Sequence, residues 1–310
     1  MNPLALAARH GPMVLVGGLL LGLFAPPLAD AMRPFTREMV VLLLFVSVLR
    51  MEPSSVLGSL GKLPTVALTV AVLQFGLPML ILCTAFIAGW QHSPIVLALV
   101  LMTAAPSIVG SPNISMMMGV QPGVAMRLMV TGTLLLPLTV TPILWLLPTI
   151  EDSRTVIFAA LRLLATVVVV SLAAIATRRM LFPKPSAETL RSMEGASALA
   201  LSAFVIGLMP AVREVALTSP TTLIFWLAIA CAANLGLQTL TYRATRDRLP
   251  RDEAVSVSII SGNRNIALFL ISLPLAVTEP IMVFIGCYQI PMYLTPMLMR
   301  RLYRPSNLSA

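Results

Sequence analysis

The chain has little charge: Asp, Glu, Lys and Arg make up 11% of its 310 residues, whereas 58% are hydrophobic. Its apolar residues form runs that are too long to be the core elements of a soluble domain. The composition therefore excludes a soluble globular protein and predicts a protein that crosses a membrane many times.

Acidic residues are especially scarce, with 12 Asp and Glu against 21 Lys and Arg. Every one of them lies in a predicted loop or at the end of an apolar run. The sequence therefore predicts no carboxylate at the membrane centre to bind sodium, to carry a proton or to neutralise a buried cation.

Histidine and cysteine are rare as well. His10 and His92 lie in predicted loops, and Cys83, Cys231 and Cys287 each stand alone in a different apolar run. An intramembrane hydrolase needs a carboxylate pair, a serine with a histidine in reach, or metal ligands spaced as in His-Glu-x-x-His. None occurs within a run, so we expect neither an enzyme nor a metal or organic cofactor other than a possible sodium ion.

Apolar runs of about 17 to 25 residues predict transmembrane helices. Ten can be delimited, the second of them short: 13–29, 39–49, 63–88, 94–119, 123–147, 156–177, 196–212, 221–242, 254–276 and 280–299. Most Lys and Arg residues lie at the two termini and in the loops after even-numbered runs, which predicts cytoplasmic termini. We therefore assign the net charge of +9 to orientation and lipid contact, not to nucleic-acid binding.

One alternative for the first run stays open, because Arg9 precedes it and "APPLADA" has the small residues of a signal-peptide cleavage site. Otherwise we expect a multi-pass protein of the plasma membrane, which in a bacterium is the inner membrane.

The two halves of the chain repeat. "SIVGSPNIS" (107–115) matches "SIISGNRNIA" (258–267) if one residue is skipped, and "PLTVTPIL" (137–144) matches "PMYLTPML" (291–298). This alignment pairs Asn113 with Asn265 and puts Arg264 opposite Pro112. Each half contains five predicted spans, so the copies have opposite orientations, as in many secondary transporters.

Both matched segments contain helix-breaking residues in the middle of a span. Proline, glycine and asparagine there free backbone N–H and C=O groups, which must then face protein or a water-lined cavity. A proline kink without a ligand is the alternative for one span alone. Breaks at matching positions of two repeats instead favour a binding site near the midplane.

The residues "RMEPSSVLGSLGKLP" followed by "LQFGLP", then "APSIVGSPN", "SGNRNIAL" and "CYQIP", resemble the bile acid:sodium symporter family along nearly the whole chain. The resemblance implies an all-α integral membrane fold of ten helices in two inverted five-helix repeats. Panel segments 1–62 and 150–216 would flank core segments 63–149 and 217–310. Broken helices four and nine would cross in the core, and the domains would move against each other during transport.

The resemblance also implies site residues. Gln74 matches a ligand of the family's second sodium site, and Ser111, Asn113, Thr131 and Thr133 match the region of the first. The predicted substrate site comprises Arg264, Asn263, Asn265, Asn113, Ser111, Tyr288 and Gln289. The solute is expected to be a small molecule and an anion, with the lipid bilayer as the other partner.

Two departures from the family pattern concern sodium. Ile260 stands where sodium-coupled members have a glutamate, and Arg264 stands where they have a glutamine. A charged side chain at the centre of a helix costs about 3 kcal/mol by insertion scales. The charge has to be offset by carbonyls of helix four, by water, by the hydroxyls of Ser111, Thr131 and Thr133, or by an anionic solute.

Three roles for Arg264 follow. It replaces the sodium ions, it binds a solute carboxylate or sulfonate directly, or it only ties the helix crossing together. The first two favour a secondary active transporter of organic anions or small amphipathic solutes without obligatory sodium coupling. A sodium-coupled symporter with an altered site, and a channel or receptor of the same fold, are the alternatives.

Overall fold

The structure is a computed structural model that describes residues 2–50, 63–150 and 152–304. Within these residues every regular element is helical, apart from one isolated antiparallel bridge. The predicted all-helical class is therefore confirmed. Residues 51–62, which carry part of the family resemblance, and Glu151 lie outside the described residues.

The α-helices are numbered here in chain order. The first eight are α1 (Pro3–Arg9), α2 (Gly11–Phe24), α3 (Pro26–Met32), α4 (Thr36–Arg50), α5 (Leu63–Ala71), α6 (Leu77–Ile87), α7 (Pro94–Ala104) and α8 (Ser111–Met117). The others are α9 (Gly123–Leu146), α10 (Ser153–Leu181), α11 (Ala187–Thr218), α12 (Pro220–Thr245), α13 (Arg251–Gly262), α14 (Leu268–Ser272), α15 (Leu275–Thr278) and α16 (Met282–Leu298). A π-helical turn, Val72–Gly76, joins α5 to α6.

Six of these helical stretches are long and apolar enough to cross a membrane: Pro64–Ile87, Gly123–Leu146, Ser153–Leu181, Ala187–Thr218, Pro220–Thr245 and Leu275–Leu298. A bent pair of N-terminal helices would make a seventh if it is counted as one span. The protein is thus a multi-pass membrane protein. The remaining predicted spans correspond to shorter or interrupted helices within the described residues, so the count of ten stays a prediction.

The chain divides into two compact units, and the first comprises Met1–Glu52, Leu161–Ile224 and Ala267–Gly286. Helix α11 is at its centre and packs against α1, α2, α3 and α4. Small residues allow this close approach, as is common between membrane helices. A Cβ at Gly18 would overlap Ser202, and a Cβ at Gly195 would overlap the main-chain carbonyl of Leu4.

The second unit comprises Pro53–Ala160, Phe225–Ile266 and Cys287–Ala310. Helix α9 packs against α5, α8 and α13, and α6 packs against α7. The unit boundaries fall inside α10, α12 and α16, whereas the panel and core segments expected from the sequence end between predicted spans. That four-segment division stays a prediction. All the candidate site residues belong to the second unit.

The packing of α11 predicts that Gly195→Ala destabilises the first unit. The new methyl group meets backbone, which cannot rotate away, so we expect a loss of about 1 to 3 kcal/mol. Gly17→Ala is the matched control, because nothing lies within 4 Å of its added Cβ. Thermal unfolding in detergent measures both variants, and equal melting temperatures would contradict the predicted close contact.

Candidate functional site

Two helices of the second unit are interrupted where the sequence predicts breaks. The first interruption lies between α7, which ends at Ala104, and α8, which begins at Ser111. Ala105 has an extended backbone (φ −64°, ψ 151°), as expected for a residue that precedes proline. Pro112 lies in the first turn of α8, where its missing N–H costs no helical hydrogen bond. The second interruption begins at Asn263, directly after α13.

The two interrupted segments pair with each other as a short antiparallel bridge between Ser107 and Arg264. The Ile108 N–H donates to the Asn263 carbonyl at 3.0 Å, and the Asn265 N–H donates to the Pro106 carbonyl at 2.7 Å. Backbone groups that leave a helix in a membrane protein have to be satisfied inside the protein. Here each break satisfies the groups that the other break frees.

The bridge does not follow the register of the sequence alignment. The hydrogen bonds are symmetric about Ser107 and Arg264, whereas the alignment puts Arg264 opposite Pro112. Asn113 lies within α8, and Asn265 lies in the extended segment. The two asparagines are therefore not equivalent. The alignment matched similar letters, but the bridge is set by the positions at which α7 and α13 end.

The Arg264 side chain lies at this bridge and is only 1% exposed. Its guanidinium donates to three main-chain carbonyls: Nε to Ser261 at 3.1 Å, Nη1 to Ala105 at 3.0 Å and Nη2 to Leu73 at 3.1 Å. Its backbone N–H donates to the Tyr288 hydroxyl at 3.1 Å, and that hydroxyl donates to the Gly262 carbonyl. The predicted contact with a helix-four carbonyl is confirmed at Ala105.

Each of the three carbonyls is available because a helix is irregular there. Ala105 and Ser261 lie where α7 and α13 end, and Asn265, four residues after Ser261, donates to Pro106 instead. Leu73 lies in the π-helical turn. In that turn Leu77 donates to Val72, and the next donor in the series would be Pro78, which has no N–H.

These contacts explain how the charge is tolerated. The C-terminal end of a helix carries a partial negative charge, and carbonyls at two such ends, of α7 and α13, meet the guanidinium. Among the described residues no Asp or Glu is buried. The hydroxyl of Ser111 instead bonds to Ser107 at 2.6 Å, and that of Thr133 bonds to the carbonyl of Met129 at 2.9 Å.

Ile260, which the family resemblance predicts to occupy a sodium-ligand position, lies in an apolar cluster and is 3% exposed. The other buried members of this cluster come from α5, the π-helical turn, α9 and α13: Val66, Val70, Leu73, Ala125, Leu128 and Val257. Sodium requires oxygen ligands, and the side chains around Ile260 in this cluster offer none.

Gln74, a predicted sodium ligand, is 2% exposed and packs against α9. Its Nε2 donates to the Gly132 carbonyl at 3.0 Å, and a Cβ at Gly132 would overlap its Oε1. Gly132 lies between Thr131 and Thr133, so the structure brings Gln74 to the predicted hydroxyl-bearing turn of α9. This glutamine therefore links the π-helical turn to α9.

Asn263 belongs to a polar network that sequence analysis missed. Its Oδ1 accepts from Asn234 at 3.3 Å and from Thr295 at 3.1 Å. Asn234 also donates to the Gly262 carbonyl at 2.6 Å, and Gln238 donates to Asn234 at 2.8 Å. All four side chains are fully buried. The available signal was "NLGLQ", which places two amides four residues apart, and thus on one face, in an apolar helix.

The structure thus brings Arg264, Asn263 and Tyr288 into one hydrogen-bonded group. Asn113 and Asn265 are half-buried, and Gln289 is buried and accepts from the Tyr293 hydroxyl at 3.0 Å. Their assignment to a substrate site stays a prediction, as does that of Ser111, Thr131 and Thr133 to a cation site.

No protein-family model matches this chain, and a comparison with curated proteins finds no match either.

The carbonyl contacts predict that Arg264→Gln lowers the stability of the protein. A glutamine side chain is shorter and has two N–H donors, so it leaves buried carbonyls unpaired at about 1 to 3 kcal/mol each. Arg162→Gln is the matched control, because Arg162 is exposed on α10. Thermal unfolding in detergent should show a loss for Arg264→Gln alone. Similar melting temperatures for the two variants would contradict the role of the three carbonyls.

Proposed function

We propose that this protein is a secondary transporter of organic anions or small amphipathic solutes, in which Arg264 provides a fixed positive charge in place of transported sodium ions. One observation carries the proposal. A buried guanidinium joins two paired helix breaks and is held by backbone carbonyls, with no buried carboxylate among the described residues.

The paired breaks favour transport over the other functions. In secondary transporters two interrupted helices meet near the midplane, and the binding site lies where they meet. We further propose ten transmembrane helices in two inverted repeats, alternating access, and cytoplasmic termini in the plasma membrane. The antiparallel bridge supports this arrangement, because it relates the two breaks by a local two-fold symmetry.

The charge balance favours an anionic solute. Carbonyl dipoles stabilise the guanidinium, but they carry no net charge, so a positive potential remains around Arg264. In a region of low dielectric constant such a potential acts strongly. Because the guanidinium is 1% exposed and already donates to three carbonyls, we propose that it attracts the solute through this potential. The polar side chains around it then make the direct contacts.

The same features disfavour sodium. A fixed guanidinium repels a cation, and the glutamate that would attract one is replaced by Ile260 within an apolar cluster. Gln74 keeps the family residue, but its Nε2 is engaged by the Gly132 carbonyl. We therefore propose transport without obligatory sodium coupling.

Uptake into proteoliposomes tests the function. Thermal-shift screening of carboxylates, sulfonates and bile acids selects a radiolabelled solute, and its uptake is measured with a sodium gradient and with choline in place of sodium. We expect saturable uptake at equal initial rates in both conditions, because no transported sodium ion is needed.

Three outcomes would contradict the proposal. Uptake that collapses in choline indicates a sodium symporter with an altered site. Flux that rises linearly with concentration indicates a channel. Absence of both binding and uptake across the whole screen indicates a receptor or a different solute class.

A charge-swap variant tests the role of Arg264 without requiring a known solute. Ile260→Glu combined with Arg264→Gln restores the family pattern of one carboxylate and no fixed cation. We expect sodium to raise its melting temperature relative to equal concentrations of choline, because sodium then binds the folded state. Ile260→Glu alone is the control, since it retains the guanidinium. An equal sodium response in both variants would contradict the idea that Arg264 takes the place of a cation.

A further inference from the structure

The residues that follow α16, Met299–Arg304, hold a tyrosine deep inside the second unit. Tyr303 is 1% exposed, although it lies beyond the last apolar span. Its hydroxyl donates to Gln238 Oε1 at 3.0 Å and lies 2.7 Å from Ser258 Oγ. Burial raises the pKa of this hydroxyl, so it keeps its proton at neutral pH.

A second contact fixes the backbone of the same residue. Arg251, the first residue of α13, donates through Nη2 to the Tyr303 carbonyl at 2.9 Å and to the Met118 carbonyl at 3.1 Å. Its Nη1 donates to the Gly119 carbonyl at 3.1 Å. One guanidinium therefore ties the C-terminal residues to the end of α8.

Apolar contacts close the space around these polar groups. Tyr303 and Met299 form one cluster with Ile114 of α8, with Met118 and Val120 just after α8, and with Val255 and Ile259 of α13. The ring of Tyr242 packs edge-on against that of Tyr303, with a centroid distance of 5.2 Å. The C-terminal residues thus hold the half-helices α8 and α13 together.

The side-chain network connects this cluster with the helix breaks. Gln238, which accepts from Tyr303, donates to Asn234 at 2.8 Å and to Thr295 at 3.2 Å. Asn234 and Thr295 in turn bond to Asn263, beside Arg264. Release of Tyr303 would therefore remove support from the residue next to the guanidinium.

Two buried serines lie on the helices that this cluster joins. Ser115 of α8 and Ser256 of α13 are 0% exposed, and among the described residues their hydroxyls have no hydrogen-bond partner. Each is the immediate neighbour of a member of the cluster, Ile114 or Val255. Buried hydroxyls normally have a hydrogen-bond partner. Two buried hydroxyls without one among the described residues indicate that the surfaces of α8 and α13 that carry them contact water in another conformation.

We propose that Met299–Arg304 is a latch that closes the second unit at its C-terminal side. Tyr303 is the residue that holds the latch in its closed position. In the closed state Tyr303 seals the contact between α8 and α13. When it withdraws, Ser115 and Ser256 become accessible to water. That this opening serves as a solute route rests on the proposed transport function, whereas the opening itself does not.

Cysteine accessibility tests the latch. The three native cysteines are replaced (Cys83→Ser, Cys231→Ala and Cys287→Ala), and Ser256→Cys is introduced as the reporter in proteoliposomes of either orientation. A membrane-impermeant sulfonated maleimide is the probe. We expect Tyr303→Phe, which deletes both hydroxyl contacts, to raise the initial labelling rate about tenfold.

Matched variants separate the latch from general loosening. Tyr242→Phe removes a hydroxyl from the ring that packs on Tyr303 and should leave the rate unchanged. Ser258→Ala removes one partner of Tyr303 and should raise the rate by a smaller factor. Ser47→Cys, a buried reporter in α4 of the first unit where the native hydroxyl bonds to the Leu43 carbonyl, should stay unlabelled in every variant.

Two results would overturn the proposal. Unchanged labelling of Ser256→Cys in both Tyr303→Phe and Ser258→Ala shows that the contact does not control access. Equal increases at Ser256→Cys and Ser47→Cys show that the variants unfold the protein. Labelling requires no solute, so failure of the latch is distinguishable from failure of the transport proposal, which would appear as absent uptake.

Discussion

The second unit depends on one electrostatic balance: a guanidinium that has no carboxylate partner among the described residues and is held by carbonyl groups that irregular helices leave free. The carbonyls need the guanidinium as a hydrogen-bond donor, and the guanidinium needs the carbonyls as acceptors. Without Arg264, two carbonyls would be buried and unpaired: that of Ala105, where α7 ends, and that of Leu73, in the π-helical turn. Without the breaks, the helices would use these carbonyls in their own hydrogen bonds. The guanidinium would then be buried without acceptors, at the full free-energy cost of a buried charge.

Proline sets much of this geometry through what it lacks. Pro106 ends α7 after an extended residue, and Pro78 removes the N–H that would otherwise compete for Leu73. A guanidinium that binds three main-chain carbonyls occurs at a second place in the unit. Arg251 also collects three carbonyls, but these belong to the end of α8 and to the C-terminal residues, so it joins segments at the edge of the unit.

Sequence analysis identified the two breaks and the buried arginine, because proline, glycine and a charge inside apolar runs are strong local signals. It did not identify the partners. The Leu73 carbonyl has no helical hydrogen bond because it lies in a π-helical turn, and no residue of "QFGLP" by itself predicts such a turn. The network of Asn234, Gln238 and Tyr303 joins residues distant in sequence. The bridge between Ser107 and Arg264 could not be predicted from the alignment either, since similar letters do not fix where a helix ends.

A cation that is built into the protein returns to its starting position in every cycle, so it moves no net charge across the membrane. A sodium ion that travels with the solute does. If Arg264 replaces such ions, a monovalent anion crosses with its own negative charge, and 100 mV changes its free energy by about 2.3 kcal/mol. A negative cell interior would then drive the anion outward, whereas cotransport with two sodium ions would drive it inward. The arginine would thus reverse the sign of the voltage dependence.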